Sequence, residues 1–189
     1  MMRAMLLEFP EDPACETLDR QYLLGSSLLI APVFTESGTV DYYLPAGRWT
    51  NLLTGEVSEG AGWRRERHDF LSLPLMVRPN TILPLGAVDD RPDYDYADAV
   101  TFRVYELEDG RELTCNVSTP QRPEPVCVSV RRANERVTVN FSGYPSTRWK
   151  LQLAGTQSVE VTGDVEMTPD PSGIILRPAG DCTQFQLKL

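Results

Sequence analysis

The segment VCVSVRRANERVTVNFSG, residues 126–143, alternates apolar and polar side chains on both sides of a short polar turn. VCVSVRR (126–132) and RVTVNFSG (136–143) each follow the period of two that is typical of a strand with one buried face. Ala133-Asn134-Glu135 between them has the length of a hairpin loop. The segment therefore predicts two antiparallel strands, and it indicates an all-β fold.

The same pattern continues through residues 99–189. VTFRVYEL (100–107) and RELTCNVS (111–118) flank Glu108-Asp109-Gly110, and Asp-Gly is a strong hairpin signal because both residues tolerate positive φ. We therefore expect a second hairpin here. Up to four more strands are predicted in RWKLQLAG (148–155), SVEVTG (158–163), GIILRPAG (173–180) and CTQFQLKL (182–189). Together these segments predict an eight-stranded antiparallel β-sandwich.

Short apolar segments separated by Gly and Pro also fill residues 26–88. Their spacing of about 8–12 residues favours a sandwich or barrel over a βα alternation. The segments are SLLIAPVF (27–34), TVDYYLP (39–45), GRWTNLLTG (47–55) and LPLMVRPNTILPLG (73–86). The acidic residues 89–98 that follow are predicted to be a linker between two domains.

Residues 1–9, MMRAMLLEF, do not fit the pattern of the later strands. In an extended strand both faces of this segment would be mostly apolar, which is typical of a strand buried on two sides. PACETLDRQYLLG (13–25) is the best helix candidate, with one or two turns over residues 14–18. A strand buried on both sides followed by a short helix is an α/β feature.

Charge and cysteine content exclude several classes of function. The net charge of −9 and the pI of about 4.7 argue against binding to nucleic acid or to an anionic membrane. No CxxC pair is present, so there is no zinc signal, and no segment reaches the length of an apolar membrane helix. Without a secretory leader we expect a cytoplasmic location and free thiols at Cys15, Cys115, Cys127 and Cys182.

His68 and three linker aspartates are candidates for chemistry. His68 is the only histidine, and a Ser-His-Asp or Cys-His site around it stays open because its partners are set by folding; a surface or turn role is the default. Asp93, Asp95 and Asp98 could bind Ca²⁺ through oxygen atoms, but their spacing does not fit a calcium loop. We therefore expect a solvated linker.

Trp63 is the candidate for a sugar contact. It follows Gly60-Ala61-Gly62 in a predicted loop, whereas Trp49 and Trp149 lie in predicted strands and are assigned to the core. Glycoside chemistry needs a pair of carboxylates, and composition alone cannot select such a pair here. We therefore assign no catalytic residue, no metal site and no cofactor.

Four blocks, in order, resemble the C-terminal part of glycoside hydrolase family 31. The segment RPDYDYADAVTFRVYELEDG (91–110) is most similar to the α-xylosidase branch. The match is good from residue 1 to about residue 115. The four blocks are MMRAMLLEFPEDPAC (1–15), DRQYLLGSSLLIAPVF (19–34), YYLPAGRWTNLLTGE (42–56) and LPLMVRPNTILPLG (73–86).

The resemblance implies a family architecture of a (β/α)₈ barrel followed by a proximal and a distal β-sandwich. Residues 1–25 would be a remnant of barrel strand 8 and its closing helix, residues 26–88 the proximal sandwich, residues 89–98 the linker and residues 99–189 the distal sandwich. A barrel strand cut off from its neighbours leaves an apolar face uncovered. We therefore expect residues 1–9 to be displaced, disordered or paired with a neighbouring chain.

The resemblance also implies the function of the parent protein. Family members are retaining glycosidases whose two catalytic carboxylates lie on the barrel, upstream of this segment. The parent would hydrolyse terminal α-xylosyl or α-glucosyl linkages of oligosaccharides, while the present chain alone would be an inactive, non-catalytic segment. Its partners would be the missing catalytic barrel, the oligosaccharide substrate of the parent and, in one alternative, a second copy of the chain.

Two other functions stay open at this point. The first is a carbohydrate-binding β-sandwich module that uses an aromatic platform such as Trp63. The second is a protein-interaction or oligomerisation module that uses an exposed strand edge, because such an edge pairs readily with other chains.

Overall fold

The fold is all-β, as predicted. The described residues form eighteen strands with one short α-helix and one 3₁₀ turn, and they divide into two compact units, Met1–Pro79 and Asn80–Leu189. The predicted division into four segments stays a prediction. Among the described residues, no helix is long and apolar enough to cross a membrane. The computed structural model describes residues 1–121, 123–143, 148–180 and 182–189.

The first unit contains a six-stranded sheet and a two-stranded ribbon. The strands are β1 (Met2–Ala4), β2 (Tyr22–Leu24), β3 (Leu28–Ile30), β4 (Thr39–Leu44), β5 (Arg48–Asn51), β6 (Val57–Glu59), β7 (Gly62–Arg67) and β8 (Leu75–Val77). The sheet has the order β1-β2-β3-β8-β5-β6, and β4 pairs with β7 in the ribbon. All of these pairings are antiparallel.

Residues 1–9 are not one extended strand. Strand β1 ends at Ala4 and a single helical turn, α1 (Met5–Glu8), follows. The turn places Met5 in the core with no exposed surface, and it returns Glu8 towards Arg3. The expectation that this segment is displaced, disordered or paired with another chain is wrong, since β1 pairs with β2 of the same unit. The assignment of residues 1–25 to a barrel stays a prediction.

Two further expectations for the first unit need correction. The helix candidate at residues 13–25 contains only the 3₁₀ turn Pro13–Cys15, which the Asp12 side chain caps. The following residues form strand β2, which pairs with β1 and β3 and buries Leu23 in the core. Trp63, predicted in a loop, lies in strand β7.

The second unit is a sandwich of two five-stranded sheets. The strands are β9 (Thr81–Leu85), β10 (Thr101–Tyr105), β11 (Glu112–Val117), β12 (Val126–Ala133), β13 (Arg136–Ser142), β14 (Lys150–Ala154), β15 (Glu160–Thr162), β16 (Val165–Asp170), β17 (Gly173–Pro178) and β18 (Gln184–Lys188). The orders of the two sheets are β16-β17-β14-β10-β9 and β11-β12-β13-β18-β15.

The hairpin predicted from residues 126–143 is confirmed, and the hairpin predicted around Asp109-Gly110 is wrong. Strands β12 and β13 pair antiparallel across the turn at Asn134, whose φ is +56°. Strands β10 and β11 instead lie in different sheets, so Asp109-Gly110 forms a corner between the sheets. Gly110 has a φ of +75°, which a corner uses as readily as a hairpin does.

One strand pair of the second unit also departs from the antiparallel pattern. Strand β10 pairs parallel with β14 and antiparallel with β9. The core between the two sheets contains Phe102 of β10 and Trp149, whose ring stacks on that of Phe141 with centroids 4.4 Å apart. Trp49 is buried in the first unit, so both tryptophans assigned to cores are buried.

Candidate functional site

Trp63 lies on the outer face of the β4–β7 ribbon. Val40, Tyr42 and Leu44 of strand β4 point into the core, so the alternate positions of that strand face outward. Trp63 is paired with Tyr43 of this outward set, and 60% of its surface is exposed. The alternation of strand β4 thus presents the indole to solvent.

The Trp63 indole contacts Tyr43, whose backbone and hydroxyl group are both held by hydrogen bonds. The Tyr43 and Trp63 rings meet in an edge-to-face arrangement with centroids 5.8 Å apart. The buried amide of Gln21 accepts a 2.7 Å hydrogen bond from the Tyr43 backbone N–H and donates a 2.8 Å bond to the Tyr43 carbonyl. The Tyr43 hydroxyl donates to Asp12 Oδ2 at 3.0 Å. Partial burial and this bond to Asp12 raise the pKa of the Tyr43 hydroxyl.

A cleft of about 290 Å³ opens beside Trp63. Phe34 and Trp63 supply exposed aromatic surface to the cleft. Asp41 contributes a carboxylate that Arg65 holds by two hydrogen bonds of 2.6 and 2.8 Å. These bonds lower the pKa of Asp41, so its carboxylate stays ionised. The remaining wall comes from residues 17–21, Pro32, Thr35, Thr39 and Val40.

His68 belongs to a separate hydrogen-bonded chain. Its Nε2 lies 2.9 Å from Glu66 Oε2 and its Nδ1 lies 3.1 Å from Ser72 Oγ. Glu66 also accepts a 2.6 Å bond from the Tyr42 hydroxyl. The structure therefore brings together the Ser, His and acidic side chains of the arrangement that the sequence leaves open.

This hydrogen-bond network around His68 stabilises a turn and is not arranged as a nucleophilic site. The Ser72 hydroxyl donates its proton to Asp69 Oδ1 at 2.9 Å, and the same oxygen accepts from the Leu71 backbone N–H. These two bonds lower the pKa of Asp69, the backbone bond contributing most. A nucleophilic serine must instead give its proton to the imidazole. The turn role expected for His68 agrees with this geometry.

Two aspartates of residues 89–98 accept hydrogen bonds within the second unit. Asp98 accepts a 2.9 Å bond from Arg148, and Asp95 accepts from the Ala97 backbone N–H at 3.1 Å. Ala97 itself is fully buried, so the segment is packed at that point. Within the described ranges, no three His, Cys, Asp or Glu side chains are close enough to hold a metal ion.

The four cysteines are free thiols. Burial, assisted by the nearby negative charge of Asp12, raises the pKa of Cys15 to about 11. Burial also raises the pKa of Cys115. Both thiols are therefore poor nucleophiles at neutral pH.

Sequence reasoning selected Trp63 but missed the residues around it. The register between strands β4 and β7 pairs Asp41 with Arg65 and Tyr43 with Trp63, while Gln21 bonds to the Tyr43 backbone from outside the two strands. The residues of β7 give no alternating apolar signal, since its sequence is GWRRER. Charge does not select a partner for Asp41 in the sequence either, since Arg64, Arg65 and Arg67 all lie in this strand.

Two family models match consecutive parts of the chain. The model described as "Glycosyl hydrolase family 31 C-terminal domain" matches residues 1–83, a range that includes residues 1–25. The model described as "Alpha-xylosidase YicI, C-terminal domain" matches residues 95–189.

Two of the curated relatives that match are α-xylosidases of greater length. An α-xylosidase of Lactiplantibacillus pentosus is 34% identical over 146 residues, which cover 76% of this chain and 19% of that protein. An α-xylosidase of Emericella nidulans is 34% identical over 148 residues, covering 74% of this chain and 19% of that protein. The chain thus spans about a fifth of the length of these relatives.

Solved structures share the fold. The cycloalternan-forming enzyme from Listeria monocytogenes, in complex with a pentasaccharide substrate, matches with a TM-score of 0.80 and 25% identity; the match covers 100% of this chain and 20% of that one. The family 31 α-xylosidase from Xanthomonas citri matches with a TM-score of 0.60 and 24% identity, covering 81% of this chain and 18% of that one.

Proposed function

Because this chain belongs to glycosyl hydrolase family 31, in its C-terminal part, we propose that it is the non-catalytic β-domain segment of a retaining α-glycosidase. The parent protein would hydrolyse terminal α-xylosyl or α-glucosyl linkages of oligosaccharides. The observation that carries the proposal is the pair of consecutive matches to C-terminal domains, at residues 1–83 and 95–189.

Three carboxylates of the chain do not have the pKa that the general acid of a retaining glycosidase requires. A retaining glycosidase needs one carboxyl group with a raised pKa as the general acid, close to a second carboxylate. The pKa values of Asp41, Asp69 and Asp170 are instead lowered by hydrogen bonds from neighbouring side chains and backbone amides. Such carboxylates remain ionised and cannot deliver a proton at neutral pH.

Exposed apolar side chains at the start of the first unit support a packing role. Strand β1 is an edge strand of its sheet, so one side of its backbone is open to pairing. Large apolar surfaces of this kind mark protein contacts. We name these residues the terminal apolar surface: Met1 (97% exposed), Met2 (67%), Leu6 (42%), Leu7 (73%) and Leu24 (43%). The catalytic barrel of the parent is the proposed partner of this surface.

Activity measurement tests the proposal directly. The purified chain is incubated with an aryl α-xyloside and an aryl α-glucoside, and release of the aryl group is followed. We expect no turnover above a mock preparation, because the general acid of the reaction is supplied by the barrel. Turnover that rises with the concentration of the chain would contradict the proposal.

Self-association is a second candidate role, favoured by the same terminal apolar surface. Sedimentation velocity over a range of chain concentrations separates the two roles. A dimer that is abolished by Leu7→Ser and Met2→Ser would favour oligomerisation. A monomer at all concentrations would leave the barrel as the partner.

A cytoplasmic location completes the proposal. It is supported by the four free thiols, since unpaired cysteines are typical of a reducing compartment. Cell fractionation with an antibody against the chain tests the location, and recovery in the culture medium would contradict it.

A further inference from the structure

The cleft beside Trp63 has the chemistry of a saccharide site. We propose that it binds a small neutral saccharide, with the Trp63 indole against a sugar ring and with Asp19, Arg20 and Asp41 in contact with the sugar hydroxyls. This proposal does not rest on the proposed function, because it concerns binding by the chain itself and requires no catalytic group.

The aromatic surface of the cleft is large and open. Trp63 is 60% exposed and Phe34 is 68% exposed, and both line the cleft. Such large side chains are costly to leave in water. Exposed apolar surface rimmed by polar groups is a feature of ligand-binding grooves as well as of protein contacts, and this surface lies in a cleft. The C–H face of a pyranose ring is an apolar surface that can cover an indole.

The polar groups of the cleft suit hydroxyl groups rather than an ion. Among the described residues, Asp19 and Arg20 have no hydrogen-bond or ion-pair partner, so their acceptor and donor groups are available to a ligand. Their charges oppose each other, and the charge of Asp41 is balanced by Arg65. A cation would meet Arg20 and an anion would meet the two carboxylates, whereas a polyol can both donate and accept hydrogen bonds.

The size and rigidity of the cleft favour a small ligand. Its volume of about 290 Å³ lies at the lower end of the roughly 300–1,000 Å³ typical of small-molecule sites. Tyr43 and Gln21 fix the strand behind Trp63. Less conformational entropy is therefore lost when a ligand covers the indole.

Binding is measured by calorimetry and by acrylamide quenching of tryptophan fluorescence. Quenching reports mainly on Trp63, because Trp49 and Trp149 are only 2% and 6% exposed. The probes are xylobiose, maltose and isomaltose at millimolar concentrations, with tetramethylammonium and phosphate as ionic controls. We expect saturable heat and protection from quenching with at least one saccharide, and neither with the ions.

Two variants distinguish saccharide binding in the cleft from non-specific binding. Trp63→Ala is expected to weaken saccharide binding at least tenfold, which corresponds to about 1.4 kcal/mol. Phe70→Ala is the matched control, since Phe70 is a fully exposed aromatic residue outside the residues that line the cleft, and it should bind as the unaltered chain does. Circular dichroism checks that both variants fold. If Trp63→Ala does not fold, Asp19→Ala, at another residue that lines the cleft, provides a second test.

Three results would overturn the proposal. The first is the absence of saturable binding with all three saccharides. The second is equal affinity in the unaltered chain and in the cleft variants. The third is tighter binding of tetramethylammonium or phosphate than of any saccharide, which would assign the cleft to an ion.

Discussion

Replacement of Gln21 by alanine should destabilise strand β4 at Tyr43, the residue whose ring contacts Trp63. The Gln21 side chain is 5% exposed, and its amide bonds to both backbone groups of Tyr43, as a neighbouring strand would. Each bond contributes about 1 kcal/mol net, and each partly buried backbone group left without a partner costs about 1–3 kcal/mol. We expect the free energy of unfolding of the first unit to fall by about 2–4 kcal/mol.

The assay combines urea unfolding with hydrogen exchange. Exchange in the peptide that covers Thr39–Leu44 should accelerate, because the Tyr43 amide loses its acceptor. Gln21→Met keeps the volume of the side chain and removes both hydrogen bonds, so it separates packing from hydrogen bonding. Gln184→Ala is the control, since Gln184 is exposed and such changes usually stay within about 0.5 kcal/mol.

The reasoning fails if Gln21→Ala costs no more than Gln184→Ala. It also fails if exchange over Thr39–Leu44 is unchanged while the chain as a whole is destabilised. In the first case the two bonds would contribute nothing net, and in the second they would not be the bonds that hold β4.

Three other predictions concern Glu8, Asp170 and Cys15. Glu8→Gln should lower the free energy of unfolding by about 2 kcal/mol, measured by urea titration, because Arg78 loses its charged partner at 2.7 Å; an unchanged midpoint would refute this. Hydrogen bonds from Ser172, and also one from Gln152, lower the pKa of Asp170. The ionised carboxylate therefore stabilises the fold above the unfolded pKa of about 3.9, and this stability is lost as the pH falls through the folded pKa. Asp170→Asn should therefore destabilise at pH 7 and become nearly neutral in acid, as thermal unfolding at several pH values would show, and a difference that persists in acid would contradict it. Cys15, with its pKa raised to about 11, should react with iodoacetamide at pH 8 about a hundredfold more slowly than the same thiol in urea; equal rates, measured by mass spectrometry, would refute the burial argument.

Local patterns in the sequence predicted strands well and pairings less well. The β12–β13 hairpin was predictable because its two strands and its turn are contiguous. The Asp109-Gly110 turn misled because its backbone chemistry is the same whether the next strand joins the same sheet or the opposite one. The parallel pairing of β10 with β14 joins segments about fifty residues apart, and no local signal encodes it.

Residues 1–9 show how tertiary contacts override a local pattern. An apolar run in extended form would have buried Met5 and Leu7 on the same face. The helical turn instead buries Met5 and leaves Leu7 exposed, and it lets Glu8 pair with both Arg3 and Arg78. Arg78 is distant in the sequence, so this ionic contact could not be read from the segment itself.

The cleft and the core of the first unit depend on one strand register. Val40, Tyr42 and Leu44 of β4 are buried, and this fixes Asp41 and Tyr43 on the outer face, because a slip of one residue would exchange the two sets. The partner strand β7 has no apolar alternation to fix its own position, so its register is set by contacts across the ribbon. The buried face contributes a bond from Tyr42 to Glu66, and the outer face contributes the bonds from Arg65 to Asp41. The position of Trp63 in the cleft is therefore a consequence of burial on the opposite face of the neighbouring strand, which explains why its residue type was visible in the sequence while its surroundings were not.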